Sequence, residues 1–247
     1  MGKPDILKQL AAKRTDISLI ADQLILHSKQ IPRLVEALQT EKSSKKFAYE
    51  KALRLVSEKQ PDLIYPYFDV FIDLLDSENS FLKWGAIMTV ANLTAVDTKK
   101  KFEAIFEKYY ASITGPSLVT AANIIGSSVI IARAKPALID SIAHEILKVE
   151  KARFQRKGSV SPECRNVAIG QAIDSFDGFY DRISDKNTVI KFIRRQLKNT
   201  RKPVVKKAEQ FIHKYESSAK ARDHKKSPGN PRKRISRSGN SFRQLKI

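Results

Sequence analysis

The sequence predicts an all-α protein, a solenoid of about five stacked helix pairs with an N-terminal cap, followed by a disordered basic tail. Three observations carry this. From residue 5 to about 218 the apolar residues recur at helical spacing, with no sustained alternating stretch and few of the Asn-Gly or Asp-Gly turns that strands require. The helices fall into pairs that repeat about every 40 residues, the signature of a stacked helical array. The 247 residues, 42% apolar and 29% charged, can bury a substantial core, which sets aside wholesale disorder and a disulfide-stapled miniature.

The second helix of each pair begins near Ser43, Asn79, Pro116, Ser161 and Lys202, giving steps of 36, 37, 45 and 41 residues. The first helices precede them, starting near Ile31, Leu63, Lys100, Ala137 and Asn187. Their apolar stripes are wide. Phe47, Leu53, Leu55 and Val56, then Leu63, Ile64, Tyr67, Phe68, Phe71, Ile72 and Leu75, suit helices that pack on two neighbours rather than one. Pro61 and Asp62 are expected to start one helix, and Ser77 to Ser80 to end it and cap the next. Small residues on the second helices (Gly85, Ala86, Ala91, Ala121, Ala122, Gly126, Ala168, Gly170 and Ala172) would let neighbouring helices approach closely. A cofactor pocket is the alternative use of such a set.

The residues resemble the HEAT-repeat group of the armadillo-like superfamily over most of positions 30 to 216. In that pattern a first helix ends in an apolar-rich turn, a short polar link follows, and the second helix opens with an aliphatic and basic pair before Ala. Leu74, Leu75, Asp76 and Ser77 followed by Leu82, Lys83 and Ala86 fit it, as do Val205, Lys206 and Ala208. The third unit, PSLVTAANII, lacks the basic residue. The resemblance implies a right-handed α-α superhelix and the broad role of an interaction scaffold.

The one cysteine, Cys164, cannot form an internal disulfide, and the opening MGKPDILKQL has no apolar signal core, so a reducing, cytoplasmic setting is the expectation. The longest uncharged stretch, between Lys108 and Arg133, is a poor membrane span. Gly115-Pro116 breaks it, and Ser112, Thr114, Ser117, Thr120, Asn123, Ser127 and Ser128 dilute it, so a buried helix is expected there.

Little points to catalysis. His27, His144, His213 and His224 are scattered, and no metal motif, phosphate loop, GxSxG elbow or dinucleotide fingerprint occurs, so no cofactor and no enzyme are expected. Two acidic trios, Asp69, Asp73 and Asp76, and Asp174, Asp177 and Asp181, share helix faces. They read as paired carboxylates for metal or proton chemistry or, more simply, as solvated faces, and Glu103 and Glu107 read the same way. Cys164 near a helix start is a thiolate candidate or a small packed residue. Some HEAT-like proteins of this length are glycosylases of alkylated DNA, with several tryptophans and a carboxylate in a basic groove. The lone Trp84 beside Phe81 fits inter-repeat packing better.

The formal net charge is +20, and it is unevenly placed. Residues 1–185 hold 26 basic and 23 acidic side chains, whereas 186–247 hold 20 and 3. The composition divides the chain into a repeat domain, 1–219, and a basic tail, 220–247, too poor in apolar residues to offset the entropy of ordering it. In the last repeat, Lys191, Arg194, Arg195 and Lys198 recur on one helical face, with Arg201, Lys202, Lys206 and Lys207 just after. The tail adds Lys225, Lys226, Arg232, Lys233, Arg234, Arg237 and Arg243, with Phe242 as its one aromatic residue. This set is the candidate polyanion-binding surface, and a solubilising end cap is the other reading of the stripe. Lys225-Lys226 with Arg232-Lys233-Arg234 also resembles a bipartite nuclear-import signal, with Ser227, Ser236 and Ser238 as sites where phosphorylation would tune the charge.

The leading expectation is a non-enzymatic scaffold whose near-neutral repeats dock a protein segment along the second-helix ridge. Its basic C-terminal region would contact an acidic partner or nucleic acid. The alternative is a nucleic-acid-binding protein that recognises the phosphate backbone, and the third option is the alkylated-base glycosylase.

Overall fold

A computed structural model describes residues 5–12 and 15–226, with side chains as far as Tyr215. Two short helices, α1 (Ile6–Ala11) and α2 (Ile17–Leu26), form the cap. Helices α3 (Ile31–Thr40) and α4 (Lys45–Lys59) make the first pair, and α5 (Phe68–Leu74) and α6 (Ser80–Leu93) the second. In the third pair the first helix is broken into α7 (Lys101–Ala104) and α8 (Phe106–Tyr110), which precede α9 (Leu118–Ala134). The fourth is α10 (Ile139–Leu147) with α11 (Pro162–Asp177), and the fifth α12 (Lys186–Gln196) with α13 (Lys202–Lys226). The fold is an all-α solenoid of five pairs and a cap, with every second helix beginning close to where the sequence places it.

Side-chain caps set the starts of the second helices. The Asn79 carboxamide accepts the Phe81 and Leu82 amides, and the Ser117 and Ser161 hydroxyls accept those of Thr120 and Cys164. The first helices depart from expectation. Pro61 and Asp62 open two 3₁₀ turns rather than an α-helix, and α5 begins only at Phe68 because Pro66 lacks the amide hydrogen a helix interior needs. The helix expected from Lys100 breaks at Ile105, whose φ of −110° leaves the helical region. The long step of 45 residues has a local cause. Between α10 and α11 lies a two-residue hairpin, β1 (Gln155–Arg156) and β2 (Ser159–Val160), turned through Lys157 and Gly158 at φ of 52° and 78°. The buried Phe154 and the bond from the Gln155 amide to the Pro116 carbonyl (2.9 Å) tie it to the third pair. Helix α13 continues past Ala219 to Lys226, and the rest of the basic tail lies outside the described residues.

The second helices pack on one another in unbroken succession, α4 on α6, α6 on α9, α9 on α11 and α11 on α13, with α2 capping α4. Successive first helices meet more sparsely. Small residues explain the difference, since Ala52, Ala86, Ala91, Ala121, Ala168, Ala172 and Ala208 are fully buried in the second-helix layer. Unequal spacing curves a two-layer array toward its tighter layer, so the second helices line the inner side. Polar residues that dilute the uncharged stretch are spent on helix contacts. Ser128 Oγ bonds Tyr110 Oη (2.9 Å) and Thr120 Oγ1 accepts from the Trp84 indole (3.0 Å).

One buried charge joins the middle repeats. The Asp97 carboxylate, fully shielded from solvent, accepts from Tyr65 Oη at 2.6 Å and from the Lys101 and Phe102 amides at 2.9 Å each. Lys135 Nζ lies 3.0 Å away and also reaches Glu103. Burial alone would raise the Asp97 pKa, but the Tyr65, Phe102, Lys135 and Lys101 donors outweigh it and hold the carboxyl below its ordinary range. A lowered carboxylate stabilises the fold above its unfolded pKa, and that contribution is lost as pH falls through the folded value. Asp97→Ala, which strands Lys135, is expected to cost about 3 kcal/mol or more in urea unfolding, and to flatten the acid limb of the stability profile.

Candidate docking surface on the second helices

On α6 the residues sort by direction. Gly85, Thr89 and Asn92 face α4, where Asn92 Nδ2 donates to Ser57 Oγ at 2.9 Å, and Trp84 reaches α9 by donating its indole hydrogen to Thr120 Oγ1 at 3.0 Å. Between these two contacts lies an apolar solvent-facing stripe, Phe81 and Met88, with Trp84 at its margin. Phe81 is 65% exposed. On α9, Val119 lies two residues after the capping Ser117, as Phe81 does after Asn79, and is 46% exposed; Ile130, three turns on, is 40% exposed, and on α11 Val167, six residues after the capping Ser161, is 36% exposed. Asn123 and Gln171 lie half-buried in the same row. Asn123 Nδ2 is bound to the Val119 carbonyl (2.9 Å), which leaves its carboxamide oxygen to accept from outside.

At the upper end of the row, Phe47, Phe81 and Trp84 form an aromatic platform. Ring centroids are 5.7 Å apart for Phe47 and Phe81, and 5.4 Å for Phe81 and Trp84, both tilted or edge-on. Trp84 is thus an inter-repeat packing residue, as its sequence context suggests. Phe81 also meets Phe47 of the neighbouring repeat yet stays largely exposed, and that exposure has no polar signature in the sequence because α6 is apolar on nearly every side.

Beneath the platform α4 and α6 meet through a polar seam. A Cβ on Gly85 would fall 1.9 Å from Glu50 Oε1, so only glycine leaves room for that carboxyl. Glu50 is 6% exposed, its Oε1 is 3.6 Å from Arg54 Nε, and Glu50 Oε1, Arg54 Nε and Thr89 Oγ1 have no hydrogen-bond partner among the described residues. Burial pushes the Glu50 carboxyl up to about 7, against the pull of Arg54 and Lys51.

The basic stripe of the last repeat lies on the exposed face of α12, opposite the buried Val189, Phe192, Ile193 and Gln196. Much of its charge is matched locally. Arg195 makes a two-pronged bond to Glu150 (2.8 and 2.7 Å), Arg201 pairs with Glu163, and Lys207 pairs with Asp174. Lys191, Lys198, Lys202 and Lys206 are exposed with no carboxylate partner among the described residues, and Arg194 is exposed as well. Lys225 and Lys226 end α13, and Arg232, Lys233, Arg234 and Arg237 lie outside the described residues.

The acidic trios are solvated faces, with Asp69 and Asp76 74% and 73% exposed, and most of their members also bridge repeats. Asp69 and Asp76 hold Lys101 and Lys108 of the next first helix, at 2.8 and 2.7 Å, and Asp174 and Asp177 hold Lys207 and Lys214 of the last. The signal for these pairs is a lysine 32 to 37 residues after an aspartate, one repeat on. Glu103 likewise is held by Lys135. Cys164 is half-buried and packs on the core. His27, His144 and His213 are exposed, and no group of three or more potential metal ligands occurs among the described residues. Among them, too, no helix is long and apolar enough to cross a membrane.

No protein-family model and no curated protein matches the chain. Among solved structures it is similar to a designed armadillo repeat protein, with a TM-score of 0.51 and 15% identity over 84% of this chain and 97% of that one. It is also similar to an engineered protein (TM-score 0.47, 16% identity, 87% of this chain and 98% of that one). A third is a designed armadillo repeat protein in complex with the peptide (KR)4 (TM-score 0.49, 13% identity, 84% and 97%). The chain has the armadillo-like helical-repeat fold that the sequence implies.

Glu50 supplies a pH test of the seam. With a folded pKa of about 7 against an ordinary 4.5, the folded state holds the proton more tightly, so this contribution is complete below about 4.5 and is lost as pH rises through about 7. The expected loss is on the order of 3 kcal/mol between pH 4.5 and 8. Urea midpoints across that range should show the decline in the native protein and not in Glu50→Gln.

Proposed function

We propose that this protein is a non-enzymatic scaffold that docks an extended protein segment along its second helices. The observation that carries the proposal is the set of exposed apolar residues on successive second helices, Phe81 on α6, Val119 and Ile130 on α9 and Val167 on α11. An isolated apolar side chain on a surface needs no explanation, whereas one or more on each of three stacked helices supplies a strip of repeated contact points. Half-buried Asn123 and Gln171 in the same strip suit the amide groups of an extended main chain, while the apolar side chains accept alternate residues of the segment. Close stacking of the second helices holds the strip rigid, which limits the ordering cost of binding to the segment.

The basic C-terminal region is an accessory contact to an acidic partner or to nucleic acid. Lys191, Lys198, Lys202 and Lys206 supply exposed charge for that contact, whereas Arg195, Arg201 and Lys207 are committed to carboxylates. A protein contacting about six phosphates would lose roughly a thousandfold in affinity between 50 and 200 mM salt. With Arg195, Arg201 and Lys207 committed, Lys191, Lys198, Lys202 and Lys206 alone would make fewer contacts than that and give a shallower slope.

Selection of peptides from a random display library against the full-length protein tests the main reading. The expected result is a set of binders whose affinity falls at least tenfold with Val119→Asp or Val167→Asp and is unchanged by Lys198→Gln. No binders, or binders indifferent to both strip substitutions, would contradict it. In parallel, fluorescent duplex DNA titrated across a salt series should bind weakly and with a shallow slope. Tight, salt-steep binding would promote nucleic acid to the principal ligand.

A further inference from the structure

The aromatic platform differs from the rest of the strip in its electrostatic surroundings. Lys42 is exposed and Lys46 and Lys83 are half-buried in the segments that carry these rings, with no ion pair to a carboxylate among the described residues, whereas Lys45 lies beside Glu41 and Lys51 beside Glu50. Lys46 Nζ lies 5.9 Å from the centroid of the Phe47 ring. The nearby acids do not offset this charge. Glu41 is held by the Ser43 amide (2.8 Å), Glu50 is buried with its pKa raised, and Glu78 alone is freely exposed. Where the array pairs its lysines across repeats, as Lys59 with Asp22, Lys101 with Asp69 and Lys108 with Asp76, their charge is matched; Lys46 and Lys83 have no such pair among the described residues.

We infer that the platform of Phe47, Phe81 and Trp84 is an anchor pocket for an acidic segment of a partner protein, one aromatic or branched aliphatic side chain of which seats on Phe81 between flanking carboxylates. The inference rests on the docking reading above and specifies the chemistry of what docks at this end of the strip. Complementary charge sets the sign of the partner, since Lys46 over the Phe47 ring favours carboxylates beside the anchor and repels a basic segment. The anchor contact is pre-organised. Trp84 is held by Thr120, and Phe81 is braced between two rings, so a side chain settling there orders little of the protein. Single-stranded nucleic acid fits less well, because the rings meet tilted or edge-on and the strip continues in aliphatic and amide side chains that offer no stacking faces.

Trp84 is the chain's single tryptophan, so its emission reports occupancy of this site directly. The test titrates the full-length protein with three synthetic decapeptides sharing a central Phe. One is flanked by Asp and Glu, one by the matching Asn and Gln, and one by Lys. The acidic peptide should change Trp84 emission saturably, bind at least tenfold more tightly than the amide twin, and weaken as salt rises, with no response to the lysine peptide. Phe81→Ala should reduce acidic-peptide binding at least tenfold when followed by calorimetry, and Lys46→Gln with Lys83→Gln should erase the preference over the amide twin. Both positions are at the surface, and unchanged circular dichroism and melting would confirm intact folding. Equal binding of acidic and amide peptides overturns this inference, and so does no binding of either. The strip reading survives both results if library-selected peptides still depend on Val119 and Val167. A decathymidylate that binds more tightly than the acidic peptide, or self-association abolished by Phe81→Ala, would assign the platform to nucleic acid or to a second copy and overturn the inference as well.

Discussion

Close approach of the second helices is the constraint on which the rest of the structure depends. Each helix pair leaves one face unburied until its neighbour stacks, so the core exists only as a continuous series of interfaces. In the second-helix layer these interfaces are built from alanine and glycine. The Gly85 position, where a single added carbon would meet the Glu50 carboxyl, shows how little space remains. Larger residues in the first-helix layer keep those helices farther apart, and the difference curves the array. The open sides of α6, α9 and α11, with Phe81, Val119, Ile130 and Val167, follow one another along the array.

Polar groups reinforce the same geometry. Asp97 draws Tyr65, the start of α7 and Lys135 to a single buried point, spanning the second and third pairs. Lysine and aspartate pairs spaced by one repeat connect successive units along the outside. Exposed pairs of this kind contribute little singly, with double-mutant values of about 0.2–1 kcal/mol, so their value here lies in fixing register more than in stability. They also consume charge. A count of basic residues therefore overstates the charge that is free.

Much of the architecture is legible in the sequence because helical periodicity and small residues are local signals. The starts of the second helices, the cap residues Asn79, Ser117 and Ser161, and the burial of Gly85, Ala121 and Ala168 all follow from them. The broken first helices are less legible. Pro66 is a visible breaker whose effect is to replace a helical turn with 3₁₀ turns, while the break at Ile105 has no local signal. The hairpin at Gln155–Val160 is too short to register as alternation, and only the long step of the fourth unit hints at it. The docking strip was the hardest to see. A helix apolar all round gives no sequence contrast between its core side and its open side, so the exposure of Phe81 emerges only when the neighbours of α6 are in place. The basic stripe errs in the opposite sense, since a cation count cannot register that Glu150, Glu163 and Asp174 sit one repeat away.

The central claim is that the open side of the second helices, rather than the cationic end of the array, is the working surface. Site-directed photocrosslinking reads this directly. A photoreactive phenylalanine analogue is placed at Val119 in one sample and at Lys198 in another, each with a library-selected peptide bound. The account predicts a specific crosslink from position 119 that excess unlabelled peptide suppresses, and none from 198. Crosslinking from 198 alone would contradict it and move the docking site to the last repeat.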